Sequence, residues 1–222
     1  MPIAGLRMLA CTSELCLWDE SDEDGRFLVE DLALEGLKMQ SGDPEGARLN
    51  VLFHHVLDTE EVSELQWEVV VPSLGDQTPI PWQSEAGTLS LAEGELEVDV
   101  SADALTYPVG TKEKALLARR IEGKALPPFD WSPWEAHEAE TFAYLINPLA
   151  LRVEGGATLR IKASQVELCS AYHLWSVNPK RGRLEYGGTL RATLNEEGEV
   201  VLSNPELRID ELTTLILSPV RP

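Results

Sequence analysis

The sequence predicts a mainly β protein, an antiparallel β-sandwich or barrel-like fold with one helical segment over about 111–147 packed on it. Three observations predict it. Short apolar or alternating runs are broken by turn residues about every ten positions, the spacing of an all-β sandwich or barrel. The links between these runs are shorter than the dozen or so residues that a parallel crossover needs, so the pairing is antiparallel. One stretch instead carries helix start and stop signals.

The elements follow in chain order. Leu15–Trp18 and Phe27–Val29 read as strands around an acidic loop, with further strands at Leu32–Leu34, Leu49–Leu57 and Leu65–Val71. Pro72–Gly87 is the longest loop, and its Trp82 reads as a plug over the core, since large aromatic side chains are mostly buried. Leu89-Ser90-Leu91 and Leu96-Glu97-Val98-Asp99-Val100 flank Glu93-Gly94 as a hairpin whose second run alternates with period two and turns an acidic face to water. Lys112–Ile121 reads as a helix ended near Gly123. Ser132-Pro133-Trp134-Glu135 combines an N-cap, a proline at the first helical position and a capping-box glutamate. That helix is expected to pass through Phe142, Leu145 and Ile146 and to stop at Asn147, because Pro148 disfavours helical geometry in the residue before it. Leu126–Trp131 joins the two helices as a stiff aromatic loop. Two more hairpins follow, Leu151–Val153 with Leu159–Ile161 around Glu154-Gly155-Gly156, and Leu190–Leu194 with Val200–Leu202 around Asn195–Gly198. Val166–Val177, Leu207–Ile209 and Leu212–Leu217 complete the strands.

A linker between independent domains is polar and flexible. The helical segment 110–148 is instead rich in Trp, Phe, Leu and Pro, so residues 1–222 read as a single β-rich domain. Within it an acidic half, 1–109, and a near-neutral β-rich half, 149–222, flank the helical segment. No repeat at a solenoid or propeller period is present.

Charge is distributed unevenly. Met1–Asp103 holds 23 acidic residues against Arg7, Arg26, Lys38 and Arg48, whereas Ala104–Pro222 holds 15 acidic residues against 14 basic ones. Nearly all of the formal net charge of −20 therefore belongs to the first half. This bears on partners and solubility rather than on fold. High-salt adaptation, which the ratio of six lysines to twelve arginines would suit, should acidify both halves. No apolar run approaches the roughly 18 residues of a membrane helix. Met8-Leu9-Ala10-Cys11 has the shape of a lipoprotein cleavage site, but too little apolar sequence precedes it for a signal peptide, so a cytoplasmic location is expected. Cys11, Cys16 and Cys169 form no CxxC pair and no even-numbered framework, so the sequence predicts neither zinc nor disulfides, only small buried hydrophobes.

Few groupings carry chemistry. Asp19-Glu20-Ser21-Asp22-Glu23-Asp24-Gly25 approximates a calcium loop read from Glu20 to Asp31. Glu20 stands where aspartate fits best, Asp31 is too short for the bidentate twelfth ligand, and helix signals are missing on both sides. The preferred reading is an acidic hairpin loop that keeps the chain soluble. His54 and His55 are neighbours on a strand and point to opposite faces. His137 lacks the second histidine of an HExxH site, and His173 reads as a packed strand residue. Nucleophile elbows, phosphate loops and dinucleotide fingerprints are absent from the sequence, and 38 acidic residues make any chosen carboxylate pair uninformative. No cofactor or metal is expected.

Basic residues gather at Lys112, Lys114, Arg119, Arg120 and Lys124, and at Lys180, Arg181 and Arg183 after Asn178-Pro179. The strongly acidic remainder opposes direct nucleic-acid binding. The sequence therefore points first to a non-catalytic structural or interaction subunit that joins a protein partner or a second copy through charge-complementary surfaces. Asp19, Glu20, Asp22, Glu23 and Asp24 would form the acidic side and the two basic groups the other. An acidic inhibitor or immunity-type protein, using Asp19–Asp24 and Glu60-Glu61-Glu64 against a basic partner, ranks second. An enzyme or ligand binder with a scattered site near Trp131, Trp134 and His137 ranks third.

Overall fold

Period-two alternation of apolar and polar residues builds most of the strands. The computed structural model describes residues 1–12, 14–32, 36–43, 48–57, 63–65, 68–75, 79–81, 85–109, 111, 114–126, 140–163 and 166–220. Its chain divides into two units. Unit 1 comprises Met1–Gly75, Lys124–Ser132 and Val177–Leu184, and unit 2 comprises Asp76–Gly123, Pro133–Ser176 and Glu185–Pro222.

Unit 1 is built on β1 (Arg7–Cys11), β2 (Cys16–Glu20), β3 (Gly36–Gly42) and β4 (Leu52–Val56), an antiparallel sheet in the order β2-β1-β3-β4. Alternation buries Met8, Ala10, Leu37, Met39 and Phe53 on one face. Two buried serines satisfy backbone groups that the ladder leaves over. Ser21 Oγ donates to Ile3 O (2.6 Å) and accepts from Leu6 N (3.0 Å), and Ser41 Oγ accepts from Val51 N (2.7 Å).

The cysteine expectation needs correction. Cys11 and Cys16 stand opposite each other in the β1–β2 register, with Cα atoms 4.0 Å apart, and form a disulfide across the hairpin. Cys169 is free but exposed. The spacing of two cysteines does not reveal that a tight hairpin will set them face to face. Reducing this bond, or replacing both residues by serine, is expected to lower the stability of unit 1 by about 2 kcal/mol, the loop-closure value for so short a loop. Urea unfolding of the full chain with and without reductant measures it, and coincident midpoints would refute it.

Unit 2 is one twelve-stranded antiparallel sheet that nearly closes on itself as a barrel. Its strands are β5 (Ile80–Pro81), β6 (Gly87–Leu91), β7 (Leu96–Val100), β8 (Leu105–Thr106), β9 (Ala115–Glu122), β10 (Phe142–Asn147), β11 (Leu151–Lys162), β12 (Ala171–Val177), β13 (Leu184–Leu194), β14 (Val200–Ser203), β15 (Ile209–Leu212) and β16 (Leu215–Pro219). The order is β5-β9-β10-β16-β12-β13-β14-β11-β7-β6, with β8 and β15 also paired to β11. β6 at one end approaches β9 near the other. The interior is filled by Leu96, Val98, Leu116, Tyr144, Leu159, Ile161, Leu174, Leu202, Leu215 and Leu217, all buried.

The β fold class stands, with helix among the described residues limited to short 3-10 turns such as Ala92–Gly94 and Gly123–Ala125. The hairpins β6–β7 and β13–β14 occur as expected. Several element assignments change. Ala115–Glu122 and Phe142–Asn147 are strands, not helix. The second is buried on both faces, with Phe142, Tyr144 and Ile146 in the barrel core and Ala143 and Leu145 also buried. A continuous apolar run of this length has no periodicity to separate strand from helix. The signals at Ser132–Glu135 lie outside the described residues, as do Trp82, Trp131, Trp134 and His137. Leu151–Ile161 is not a hairpin but part of the single strand β11. There Gly155 and Gly156 adopt φ of +79° and +73°, and the register with β15 shifts between Arg152 and Ala157, a bulge rather than a turn. Phe27–Val29 forms no strand. No helix among the described residues is long and apolar enough to cross a membrane.

Candidate functional site

The acidic loop follows β2 at one edge of the unit 1 sheet. Two of its carboxylates order the local backbone: Asp22 Oδ1 accepts from Asp24 N (2.9 Å) and Arg26 N (2.8 Å), and Asp19 Oδ2 accepts from Leu28 N (2.7 Å). This is the side-chain-to-backbone bonding that makes Asp a turn residue. Glu20 pairs with Arg7 (3.2 Å), whose guanidinium also lies 4.2 Å from the centroid of Trp18. Among the described residues no group of three or more His, Cys, Asp or Glu side chains is placed to hold a metal ion. Glu20, Asp22, Glu23 and Asp24 are exposed and Asp19 half-buried.

The basic turn packs at the opposite edge. Asn178 organises it, accepting at Oδ1 from Lys180 N (2.9 Å) and Arg181 N (3.0 Å) and at its carbonyl from Gly182 N (2.7 Å). Gly182, with φ +68°, lies so close to β4 that a Cβ there would meet Phe53 O at 2.4 Å. Next to it Arg183 Nε donates to His54 Nε2 (3.2 Å). His54 stands opposite Lys38, and Lys38 opposite Cys11, in one cross-strand row. Partial burial holds the Lys38 ammonium below the ordinary lysine value. His55 faces the other way and meets Ser63 (3.2 Å). Lys180, Arg181 and Arg183 are exposed. A turn from the near-neutral half of the sequence thus belongs to the unit that holds most of the acidic half.

The first basic group does not gather into one patch. Lys112 lies outside the described residues, exposed Lys114 precedes β9, and Lys124 falls in unit 1 within the turn Gly123–Ala125. Arg119 and Arg120 alternate along β9 and point to opposite faces.

Arg120 leads instead to a cleft that sequence reasoning missed. Its guanidinium sits 4.3 Å from the Phe142 ring centroid, pairs with Glu122 (2.6 Å) and reaches Glu95 (3.5 Å) from the turn before β7. The buried Tyr144 hydroxyl donates to the same Glu95 oxygen (3.3 Å), so one carboxylate ties β9 and β10 to β7 where the barrel nearly closes. Burial raises the Tyr144 pKa above its ordinary value, partly opposed by Arg120. Beside it lies a cleft of about 530 Å³ whose lining, among the described residues, includes Arg120, the buried Phe142 and Tyr172, and the exposed Glu122, Glu140 and Glu167. The register explains the convergence. Phe142 stands beside both Glu122 and Leu217, and Tyr172 beside Pro219, so neighbouring antiparallel strands end at the same mouth. His173, by contrast, is packed edge-on to Trp175 and Tyr186, at 6.0 and 5.5 Å between ring centroids. Of the cleft residues, the sequence singled out Arg120 alone. Comparison of the chain with protein-family models, with curated proteins and with solved structures finds no match in any of the three.

Proposed function

We propose that this protein is a non-catalytic interaction subunit that associates through charge-complementary surfaces of unit 1. One observation carries the reading: the sheet ends in the acidic loop Asp19–Asp24 at its β2 edge and holds the basic turn Lys180–Arg183 at its β4 edge. Three strand spacings of about 4.8 Å separate those edges. Opposite charge on opposite edges suits head-to-tail contact between copies, or a partner with the reverse pattern, where it speeds encounter and sets register. The competing inhibitor reading draws on the same loop together with Glu60, Glu61 and Glu64, of which Glu60 and Glu61 lie outside the described residues.

Light scattering across an ionic-strength series, on the full chain and on the double variant Lys180→Glu/Arg181→Glu, tests the self-association form. The wild-type association constant is expected to fall at least tenfold between low salt and about 0.5 M, where the Debye length drops below 5 Å. The variant is expected to be weaker at low salt and nearly indifferent to salt. An oligomeric state that ignores both changes would sink the proposal.

A further inference from the structure

We propose that the Cys11–Cys16 disulfide of unit 1 is a thiol-exchange site: an incoming thiolate adds to Cys16, Cys11 leaves, and Lys38 is the cation that favours the departing thiolate. A small thiol and a thiol on a protein share that chemistry as co-substrate.

Access is the first observation. Cys11 is 4% exposed, whereas Cys16 is exposed on β2, the edge strand of its sheet. Exchange depends on which sulfur a thiolate can reach, so attack falls on Cys16 Sγ and the leaving group is Cys11 Sγ. Charge is the second. Cys11 stands between Cys16 on β2 and Lys38 on β3 in one cross-strand row. Directly opposed residues hold their Cβ atoms about 4.5–5.5 Å apart. Lys38 is partly buried, and burial rather than any carboxylate sets its environment. A neighbouring ammonium favours thiolate over thiol, and a thiol of lower pKa leaves faster. The carboxylates of β2, Asp19 and Glu20, stand opposite Met8 and Arg7 at the other end of the hairpin. Third, the hairpin does not need the bond. Thr12 N donates to Leu15 O (2.8 Å), Thr12 Oγ1 accepts from Leu15 N (3.0 Å), and β1 pairs with β2 from Arg7 opposite Glu20 to Cys11 opposite Cys16. The bond spans a sequence separation of only 5, where loop closure contributes least. The reduced thiols therefore stay opposed, and the exchange is reversible.

The chemistry balances with two thiols. The first thiolate forms a bond to Cys16 Sγ as the Cys11–Cys16 bond breaks, and that electron pair leaves on Cys11 Sγ, which takes up the proton the first thiol released. A second thiolate attacks the sulfur that was added, freeing a small or mixed disulfide and leaving Cys16 to take the second proton. Two electrons pass to the protein, and two thiols become one disulfide.

The experiment uses the full chain with the free Cys169 alkylated beforehand. The chain is treated with glutathione, quenched at intervals with N-ethylmaleimide, and digested so that tandem mass spectrometry reads the peptide Met8–Arg26. Glutathione on Cys16 with maleimide on Cys11 is expected in at least tenfold excess over the reverse pattern. Lys38→Gln is expected to slow the reaction at least threefold and Lys38→Arg to restore it. Lys114→Gln, a charge-matched change at an exposed residue of unit 2, is expected to leave the rate unchanged. Unaltered thermal melting of the oxidised variants checks that they fold. A reduced protein carrying a CxxC dithiol, at equal thiolate concentration, separates the two sources: a rate at least tenfold above that of glutathione points to a protein thiol, and an equal or lower rate to a small one. Glutathione on Cys11, equal labelling of both sulfurs, or reaction only after unfolding in urea would overturn the proposal. Lys38→Gln reacting as fast as Lys114→Gln would overturn the part given to Lys38. None of these results bears on the charge surfaces of unit 1, whose test uses Lys180 and Arg181.

Discussion

Replacing Tyr144 by alanine is expected to cost unit 2 about 4 kcal/mol, in the range measured when a large aromatic side chain is deleted from a packed core. Tyr144 has no solvent exposure, fills the barrel interior and stands edge-on to Phe142 at 6.0 Å between centroids. Its deletion opens a cavity beside Phe142 and also removes the hydroxyl that shares Glu95 with Arg120. Tyr144→Phe isolates that second contribution and is expected to cost only about 1 kcal/mol, the net worth of one hydrogen bond. Denaturant unfolding of both variants measures the split, and equal losses would show that the hydrogen bond, not the packing, holds this layer together.

The same residue predicts an alkaline limit. Burial raises the Tyr144 pKa, so the folded chain keeps the proton after the unfolded chain has released it near pH 10. With more protons bound to the folded state than to the unfolded one, stability falls as pH rises. The contribution is complete below about pH 10 and is lost above it at up to about 1.4 kcal/mol per pH unit. Tyr144→Phe should flatten that part of the profile, and an unchanged alkaline slope would contradict it.

Gly182→Ala is expected to cost about 3 kcal/mol and to lift the basic turn from β4. Two effects combine. A φ of +68° costs a non-glycine residue about 1–2 kcal/mol. The added Cβ would also lie 2.4 Å from Phe53 O and 2.8 Å from Phe53 C, backbone atoms that cannot rotate away. Gly198 is the internal control, since its φ is +79° but nothing lies within 4 Å of its Cβ position, so Gly198→Ala should show the conformational cost alone. Urea unfolding of the two variants gives the difference. Hydrogen exchange at the amides of Gly182 and Asn178, which donate to Asn178 O and Arg183 O, reports whether the turn has opened. If the two substitutions cost the same, the close approach to β4 contributes nothing. A turn that leaves β4 also takes the Arg183–His54 contact with it, so salt-dependent association should weaken in parallel.

Local chemistry made part of this protein legible. The β6–β7 and β13–β14 hairpins were readable because alternation and turn residues act over a few neighbouring positions. Failures came where the deciding partner is remote. Phe142–Asn147 ends where Pro148 was expected to end it, yet as a strand, because a run buried from both sides loses the alternation that marks one. Gly155-Gly156 has the composition of a turn, but pairing of Leu151–Arg152 and of Ala157 with β15 keeps the chain in one bulged strand. Arg119 and Arg120 look alike in sequence, and strand alternation sends one to each face.

Composition, period and short connections are enough to set the β class, the antiparallel pairing and the sign of the charge. What the charges and cysteines do depends on how distant segments pair. That pairing brought Cys11 opposite Cys16, seated the turn Lys180–Arg183 on the acidic unit, and drew Arg120, Phe142 and Tyr172 to one barrel mouth. All three depend on strand order and register, which the hydrogen-bond ladders and the burial of one face set together, and which no single stretch of the chain encodes.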